Sequence, residues 1–180
     1  MKYMFASDIH GSAYYCRKML DAYEREQADR LVLLGDLLYH GPRNDLPKDY
    51  APKEVIAMLN AYKDVISNVR GNCDAEVDQM VLEFPVLADY AFLETGGHTF
   101  YLSHGHVYHE DNLPPMKKGD IFVHGHTHLL RAEKKGEHLI LNPGSVSIPK
   151  GGNPHTYAML EQGRFIIKEL DGTVVKEITL

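Results

Sequence analysis

Five short groups stand in order along this 180-residue chain: Asp8-x-His10, Gly35-Asp36, Gly71-Asn72, His104-Gly105 and Gly125-His126-x-His128. They supply Asp8, His10, Asp36, Asn72, His104, His126 and His128, a set of carboxylate, amide and imidazole donors. Such a mixture suits two divalent metal ions held side by side. Paired metals are the usual device for hydrolysing a phosphate ester. Taken singly, each group is ordinary. An Asp after a strand commonly caps or turns, a lone His commonly packs, and GD and GN are turn dipeptides. The weight lies in the joint pattern, because every group ends a short apolar run.

Those runs must position the donors. Tyr3–Ala6, Leu31–Leu34, Val65–Val69, Phe100–Leu102 and Ile121–Val123 read as buried strands, each delivering one group at its end. In an extended chain, residues i and i+2 point to one side, so Asp8 with His10, and His126 with His128, are expected to converge. Gly11, Gly35, Gly71, Gly105 and Gly125 permit tight turns beside the donors. A site at converging strand ends is where α/β sheets bind ligands. The spacing predicts a helix over 13–27, a second from Pro52 to about Tyr62, and a short third over 75–83. Residues 39–52 form a long loop near the site. Past Gly97 the expected strands are 98–103, 121–124, 130–134, 138–141, 155–160, 164–170 and 174–179, with hairpin turns at Gly136-Glu137 and Gln162-Gly163. Helix–strand alternation followed by a strand-rich half implies an α/β (α+β) chain with two sheets face to face and helices outside.

The segments Phe5-Ala6-Ser7-Asp8-Ile9-His10-Gly11, His40-Gly41-Pro42-Arg43-Asn44, Arg70-Gly71-Asn72-Cys73-Asp74 and Asn142–Gly152 carry a resemblance. They resemble the metallophosphoesterase, or calcineurin-like, superfamily, and within it the small bacterial YfcE-type phosphodiesterases. The resemblance covers nearly the whole chain. It implies a single domain over 1–180 with a four-layer α-β-β-α sandwich of two mixed sheets flanked by helices. It assigns Asp8, His10 and His128 to one metal and Asn72, His104 and His126 to the other. Asp36 is to bridge them, using both carboxylate oxygens. The implied reaction is hydrolysis of a small phosphodiester by a metal-bridging hydroxide attacking phosphorus in line.

Around this core, Asp36, Asn72, Cys73 and His106 are the candidate catalytic residues, and Asn72, Arg43 and His40 the candidate substrate contacts. His106 either meets the phosphate or leaving group or braces the site by a hydrogen bond. Arg43 either clamps a phosphate oxygen or makes a surface or subunit contact. His124 is expected to pack, and Ser145 to lie in a turn beside the site without acting as nucleophile. The chief departure from the superfamily is Cys73, where many members have a histidine near the leaving group. A thiol, with an ordinary pKa near ~8.5, is a poor replacement for an imidazolium donor. The YfcE-type group shares the cysteine. Diesters with good leaving groups are therefore expected over alkyl monoesters.

Composition adds bounds. The chain is long enough for its own core, and no apolar stretch reaches the roughly 18 residues of a membrane span. Met1 to Ala6 runs straight into the first motif, which leaves no room for a leader. Cys16 and Cys73 are far apart and read as reduced thiols, implying a cytoplasmic protein. A net charge of −6 disfavours a dedicated nucleic-acid binder. Two carboxylates against two divalent ions leave a formal charge of about +2, which attracts phosphate. Imidazole-rich ligation favours Mn, Fe, Zn, Co or Ni over Mg and Ca, with Mn²⁺ the leading choice. A homo-oligomer is compatible with the sequence. Two other functions stay open: a scaffold like the retromer subunit Vps29, which shares this fold, and a metal-dependent nuclease.

Overall fold

The computed structural model describes residues 1–180. Strand β1 (Tyr3–Ala6) is buried on both faces. Met4 and Ala6 pack toward the helices, while Tyr3 and Phe5 pack toward the second sheet. This explains why the run is continuously apolar rather than alternating. Helix α1 (Ala13–Glu26) follows, with Ser12 accepting a hydrogen bond from the Tyr15 amide at 3.2 Å as N-cap. Strand β2 (Arg30–Leu33) runs parallel to β1, with Leu31 and Leu33 on the helix side and Val32 on the other. Helix α2 (Pro52–Asn60) begins at the expected proline. Strand β3 (Ile66–Asn68) completes the parallel part of the sheet.

After α3 (Glu76–Gln79) come β4 (Tyr90–Thr95), β5 (His98–Ser103), β6 (Ile121–Val123), β7 (Arg131–Lys135), β8 (His138–Asn142), β9 (Thr156–Glu161), β10 (Arg164–Glu169) and β11 (Val174–Thr179). The first sheet has the order β11-β10-β9-β1-β2-β3 and the second β4-β5-β6-β8-β7. Both are mixed. The parallel pairs are β1/β2, β2/β3, β5/β6 and β6/β8. Each of the five donor groups follows one of these parallel strands, so the donors gather where the two sheets' carboxyl edges meet. Phe5, Val32, Phe100, Val123 and Phe165 belong to the core between the sheets.

Three details differ from expectation. Strand β4 lies where no strand is expected, and the third helix is a single turn. The helices cover the first sheet only: α1 and α2 share a core with β1 and β2. The outer face of the second sheet carries Tyr101, Phe122 and Ile140, covered by Tyr108, Leu113 and Met116 from the segment between β5 and β6. Pro114-Pro115 in that segment opposes helix formation. The fourth layer is therefore irregular chain.

Phe5 on β1 and Phe165 on β10, whose ring centroids lie 5.6 Å apart, are neighbouring side chains of the first sheet and are fully buried in the core it shares with the second. Phe5→Ala should destabilise the protein by about 3–5 kcal/mol in urea unfolding. A loss below about 1 kcal/mol would show that this ring contributes little to the core between the sheets.

Candidate metal centre

The donors do not converge through extended backbone, as the i, i+2 argument expected. Asp8, His10, Asp36, His126 and His128 all have positive φ, between 49° and 64°. They are five of the eight non-glycine residues in that region, a conformation costing roughly 1–2 kcal/mol per residue. The strain is held by bonds between neighbouring loops. The Asp8 amide donates to the Gly35 carbonyl at 3.1 Å, and the His10 amide to the Asp36 carbonyl at 2.9 Å. The loops after β2 and β3 also touch at their glycines. A Cβ on Gly71 would meet Asp36 Oδ1 at 2.1 Å, and one on Gly35 would meet the Gly71 nitrogen at 2.4 Å. No other residue fits at either position.

Asp8, His10 and His128 form the first cluster. Asp8 Oδ1 lies 3.7 Å from His10 Nε2 and 3.3 Å from His128 Nε2, and the two imidazole nitrogens are 3.4 Å apart. Each ring donates its Nδ1 hydrogen to a backbone carbonyl, His10 to Tyr39 and His128 to Ile148, both at 2.8 Å. A carbonyl only accepts, so the hydrogen sits on Nδ1 and the Nε2 lone pair faces inward. Metal-ligating histidines are held in this way.

Asp36, His104 and His126 form the second cluster. His104 Nε2 lies 3.3 Å from Asp36 Oδ2, 3.1 Å from Asn72 Oδ1 and 3.2 Å from His126 Nδ1. Its own Nδ1 donates to the Leu34 carbonyl at 2.5 Å. Asp36 Oδ2 also lies 3.6 Å from His10 Nε2. Asp36 Oδ1, by contrast, accepts the Cys73 amide at 2.8 Å. Oδ2 is therefore the Asp36 oxygen that faces both clusters.

These atoms fit metal ions. Donors about 2.1 Å from one ion in tetrahedral or octahedral array lie about 3.0–3.4 Å apart, close to the spacings found. Asp8 Oδ1 is buried with no hydrogen-bond partner, a state that normally costs stability and that a cation would relieve. Asp8 Oδ2 is held by the His126 amide at 3.2 Å. Burial opposes ionisation of Asp8, yet the neighbouring imidazoles of His10, His128 and His104 outweigh it and hold the carboxyl well below its usual range. Burial likewise disfavours charge on His104, but Asp36 overcomes it and pushes the imidazole up to about 9. A metal must displace that proton.

Apart from Ser145, expected in a turn beside the site, the bracing groups were assigned no role from the sequence. Asp74 Oδ2 accepts from the amides of Asp36 at 2.9 Å and Gly71 at 2.7 Å, and its Oδ1 accepts from Leu37 at 2.9 Å. One buried carboxylate thus ties the two loops that carry Asp36 and Asn72. The turn after β8 does the same for Asp8. Ser145 and Ser147 donate to the Asp8 carbonyl at 3.1 and 2.9 Å, which gives Ser145 a bracing role. Asn142 donates to Gly125 O at 2.9 Å and Thr127 Oγ at 3.1 Å. A motif ending in Asp, or a polar residue after an apolar strand, is the only trace these leave in the sequence.

A cavity of about 360 Å³ opens over both clusters, lined by His10, Asp36, Asn72, Cys73, Arg43 and Lys150 among others. Arg43 and Cys73 thus face it. His40 does not line it; its ring packs on Tyr39 and Tyr50, and its carbonyl accepts from Asn44 at 2.8 Å. His106 lines an adjoining hollow, its ring 5.5 Å from that of His104. His124 packs as expected, stacked on Phe122 at 5.3 Å, with burial pushing its imidazole down to about 4.

A calcineurin-like phosphoesterase superfamily domain matches residues 1–164. The chain is 46% identical over 181 residues to phosphodiesterase YfcE of Escherichia coli K12, covering 100% of this chain and 98% of that protein. A solved structure of the E. coli YfcE phosphoesterase superposes with a TM-score of 0.97 over 99% of both chains. Zinc-complexed Vps29 from Entamoeba histolytica shares the fold, with a TM-score of 0.58 at 18% identity over 99% of both chains. The chain belongs to the calcineurin-like phosphoesterase superfamily.

Asp74→Asn replaces an acceptor of three amides by a group with one oxygen. It should lower metal affinity roughly 10–100-fold, measured by titrating stripped protein with Mn²⁺. Unchanged affinity would mean that the two loops hold their places without it.

Proposed function

We propose that the protein is a phosphodiesterase that acts on small phosphodiesters with two divalent metal ions. The observation that carries this is a pair of donor clusters sharing a single buried oxygen, Asp36 Oδ2. When bound, the two ions supply charge to hold the phosphate oxygens and acidify a water for attack. Asp8, His10 and His128 hold the first ion, and Asn72, His104 and His126 the second, with Asp36 common to both. Manganese is our choice among the ions that suit imidazole and carboxylate donors. Asn72 turns its oxygen toward His104 and its amide nitrogen toward Cys73, so that nitrogen is placed to donate to a phosphate oxygen. Arg43 stands on the cavity wall. His106 lies beside the second cluster, its ring 5.5 Å from that of His104 and 6.1 Å from that of His126.

Cys73 decides the substrate type. In the metal-free site, burial and the charge of Asp36 push its thiol up to about 12, and a thiol, with an ordinary pKa near ~8.5, is a weaker proton donor than an imidazolium. A leaving oxygen then departs largely as an anion, which favours diesters with acidic leaving groups. The intact donor set argues against a purely structural role of the Vps29 kind. The acidic balance argues against a nuclease. Both thiols are unpaired, which supports a cytoplasmic location. No helix is long and apolar enough to cross a membrane. All donors come from one chain, so the site requires no second copy.

Chelator-stripped protein should be inactive toward bis(p-nitrophenyl) phosphate and recover with Mn²⁺. Asp36→Asn should fold, hold less than two ions per chain and lose activity at least about 100-fold, measured by elemental analysis beside turnover. Full activity in metal-free protein would refute the two-metal reading.

Cys73→His should place an imidazole where the leaving group departs. General acid catalysis contributes roughly 10²–10⁴-fold when well placed, and an unoptimised graft should recover less. The gain should appear with alkyl leaving groups and be small with p-nitrophenolate, flattening the plot of log rate against leaving-group pKa. Equal slopes at equal metal content would place Cys73 away from the leaving group.

A further inference from the structure

Most residues lining the cavity over the metal centre carry polar groups; Pro42 and Cys73 are the apolar side chains among them, and no aromatic ring other than histidine faces it. Two cations enter it from different loops, Arg43 after β2 and Lys150 after β8. Several basic side chains elsewhere are paired with acids, among them Arg70 with Glu76, Arg131 with Glu110, Lys135 with Asp111 and Lys168 with Glu26. Arg43 and Lys150 are not among the ion-paired cations, although the chain is acidic overall. They are exposed toward solvent and aimed at one space.

Charge balance sharpens the point. The loaded centre carries about +2, or about +1 with its bridging hydroxide, and Arg43 and Lys150 add two further positive charges. A phosphodiester brings one negative charge, which the centre alone balances. The two cations therefore have no partner when a neutral-armed diester is bound. The adjoining hollow differs in sign. It shares His126 and Thr127 with the first cavity but is lined by Glu110 and Asp111 as well as Arg131. A diester seated over His126 thus has one hollow available for each arm, and only one of the two is cationic.

We propose that the substrate is a phosphodiester in which one ester arm bears a second anionic group, a phosphate or carboxylate, held by Arg43 and Lys150. This rests on the phosphodiesterase reading above and narrows it. A cavity of about 360 Å³ is at the small end for ligand sites, so the arm is short. A nucleoside arm is disfavoured, because base recognition without sequence-specific hydrogen bonds relies on aromatic platforms, and this wall has none.

The test uses metal-loaded full-length protein and p-nitrophenyl phosphodiesters whose second arm is 3-hydroxypropyl, 3-carboxypropyl, 3-phosphopropyl or thymidine. The readout is p-nitrophenolate release. The anionic arms should raise kcat/KM about tenfold over the hydroxypropyl arm, chiefly through KM, as two exposed charge pairs allow. The advantage should shrink with added salt. Thymidine should give no gain over hydroxypropyl. Arg43→Ala and Lys150→Ala should each cut the anionic-to-neutral ratio about threefold, and the larger effect between carboxylate and phosphate identifies the anion. A ratio at or below one in the unmodified protein, or a ratio unchanged in both variants, overturns the inference while leaving the phosphodiesterase reading intact. Absence of turnover with every diester overturns both.

Discussion

Two carboxylates buried close together are the constraint on which this structure turns. Asp8 and Asp36 carry like charges in an interior that penalises even one. Asp8 keeps an oxygen without a hydrogen-bond partner. Beside it, the Nε2 atoms of His10 and His128 lie 3.4 Å apart, each with its hydrogen committed on the other side of the ring. Lone pairs pressed together in this way repel unless a proton or a cation lies between them. The site is therefore unfavourable as a protein fragment and favourable as a ligand cage. In the metal-free protein, protonation of His104 supplies part of the missing positive charge.

The surroundings exist to keep that arrangement from relaxing. Five donors sit in left-handed backbone, and such strain survives only where neighbours over-determine it. Here the neighbours are identifiable. Asp74 fixes the backbone on either side of the Gly35–Gly71 contact, and the serines after β8 fix the carbonyl of Asp8. Backbone carbonyls of Leu34, Tyr39 and Ile148 set the direction of three imidazoles. These partners come from both sheets, so the core between the sheets and the metal centre at its edge depend on each other. Loosening the sheets would misplace His104 and His126 relative to Asp36.

The division between what was legible in the sequence and what was not follows from this. The donors could be read because each is a side chain of distinctive type after a buried apolar strand, and the strands because both of their faces are covered. The backbone conformation could not be read. Asp and His tolerate the left-handed region, but nothing in Asp8-x-His10 distinguishes it from an extended pair, so convergence was expected for the wrong reason. Carbonyl acceptors are invisible in sequence because every residue has one. Strand β4 was missed because it is an edge strand. Its outward Tyr90 and Phe92 alternate with half-buried Ala91 and Leu93, which gives no buried run. The fourth layer was expected to be helical from family resemblance, but its local chain contains two adjacent prolines.

The metal centre and the cavity answer different chemical questions. The centre recognises what all phosphate esters share, a tetrahedral anion, and its donors are fixed by backbone strain and buried bonds. Arg43 and Lys150 carry exposed side chains on the loops around it, and Lys150 joins the frame only through its amide, which donates to the His128 carbonyl at 3.0 Å. Cys73 lies between the two domains of action: its amide holds Asp36 Oδ1, while its side chain faces the cavity. The backbone of this residue therefore serves the metal site whatever side chain it carries. The thiol can therefore differ from the histidine of the wider superfamily while the amide contact to Asp36 stays in place. A fold built in this way can keep one reaction centre and vary its substrates through the residues that line the approach.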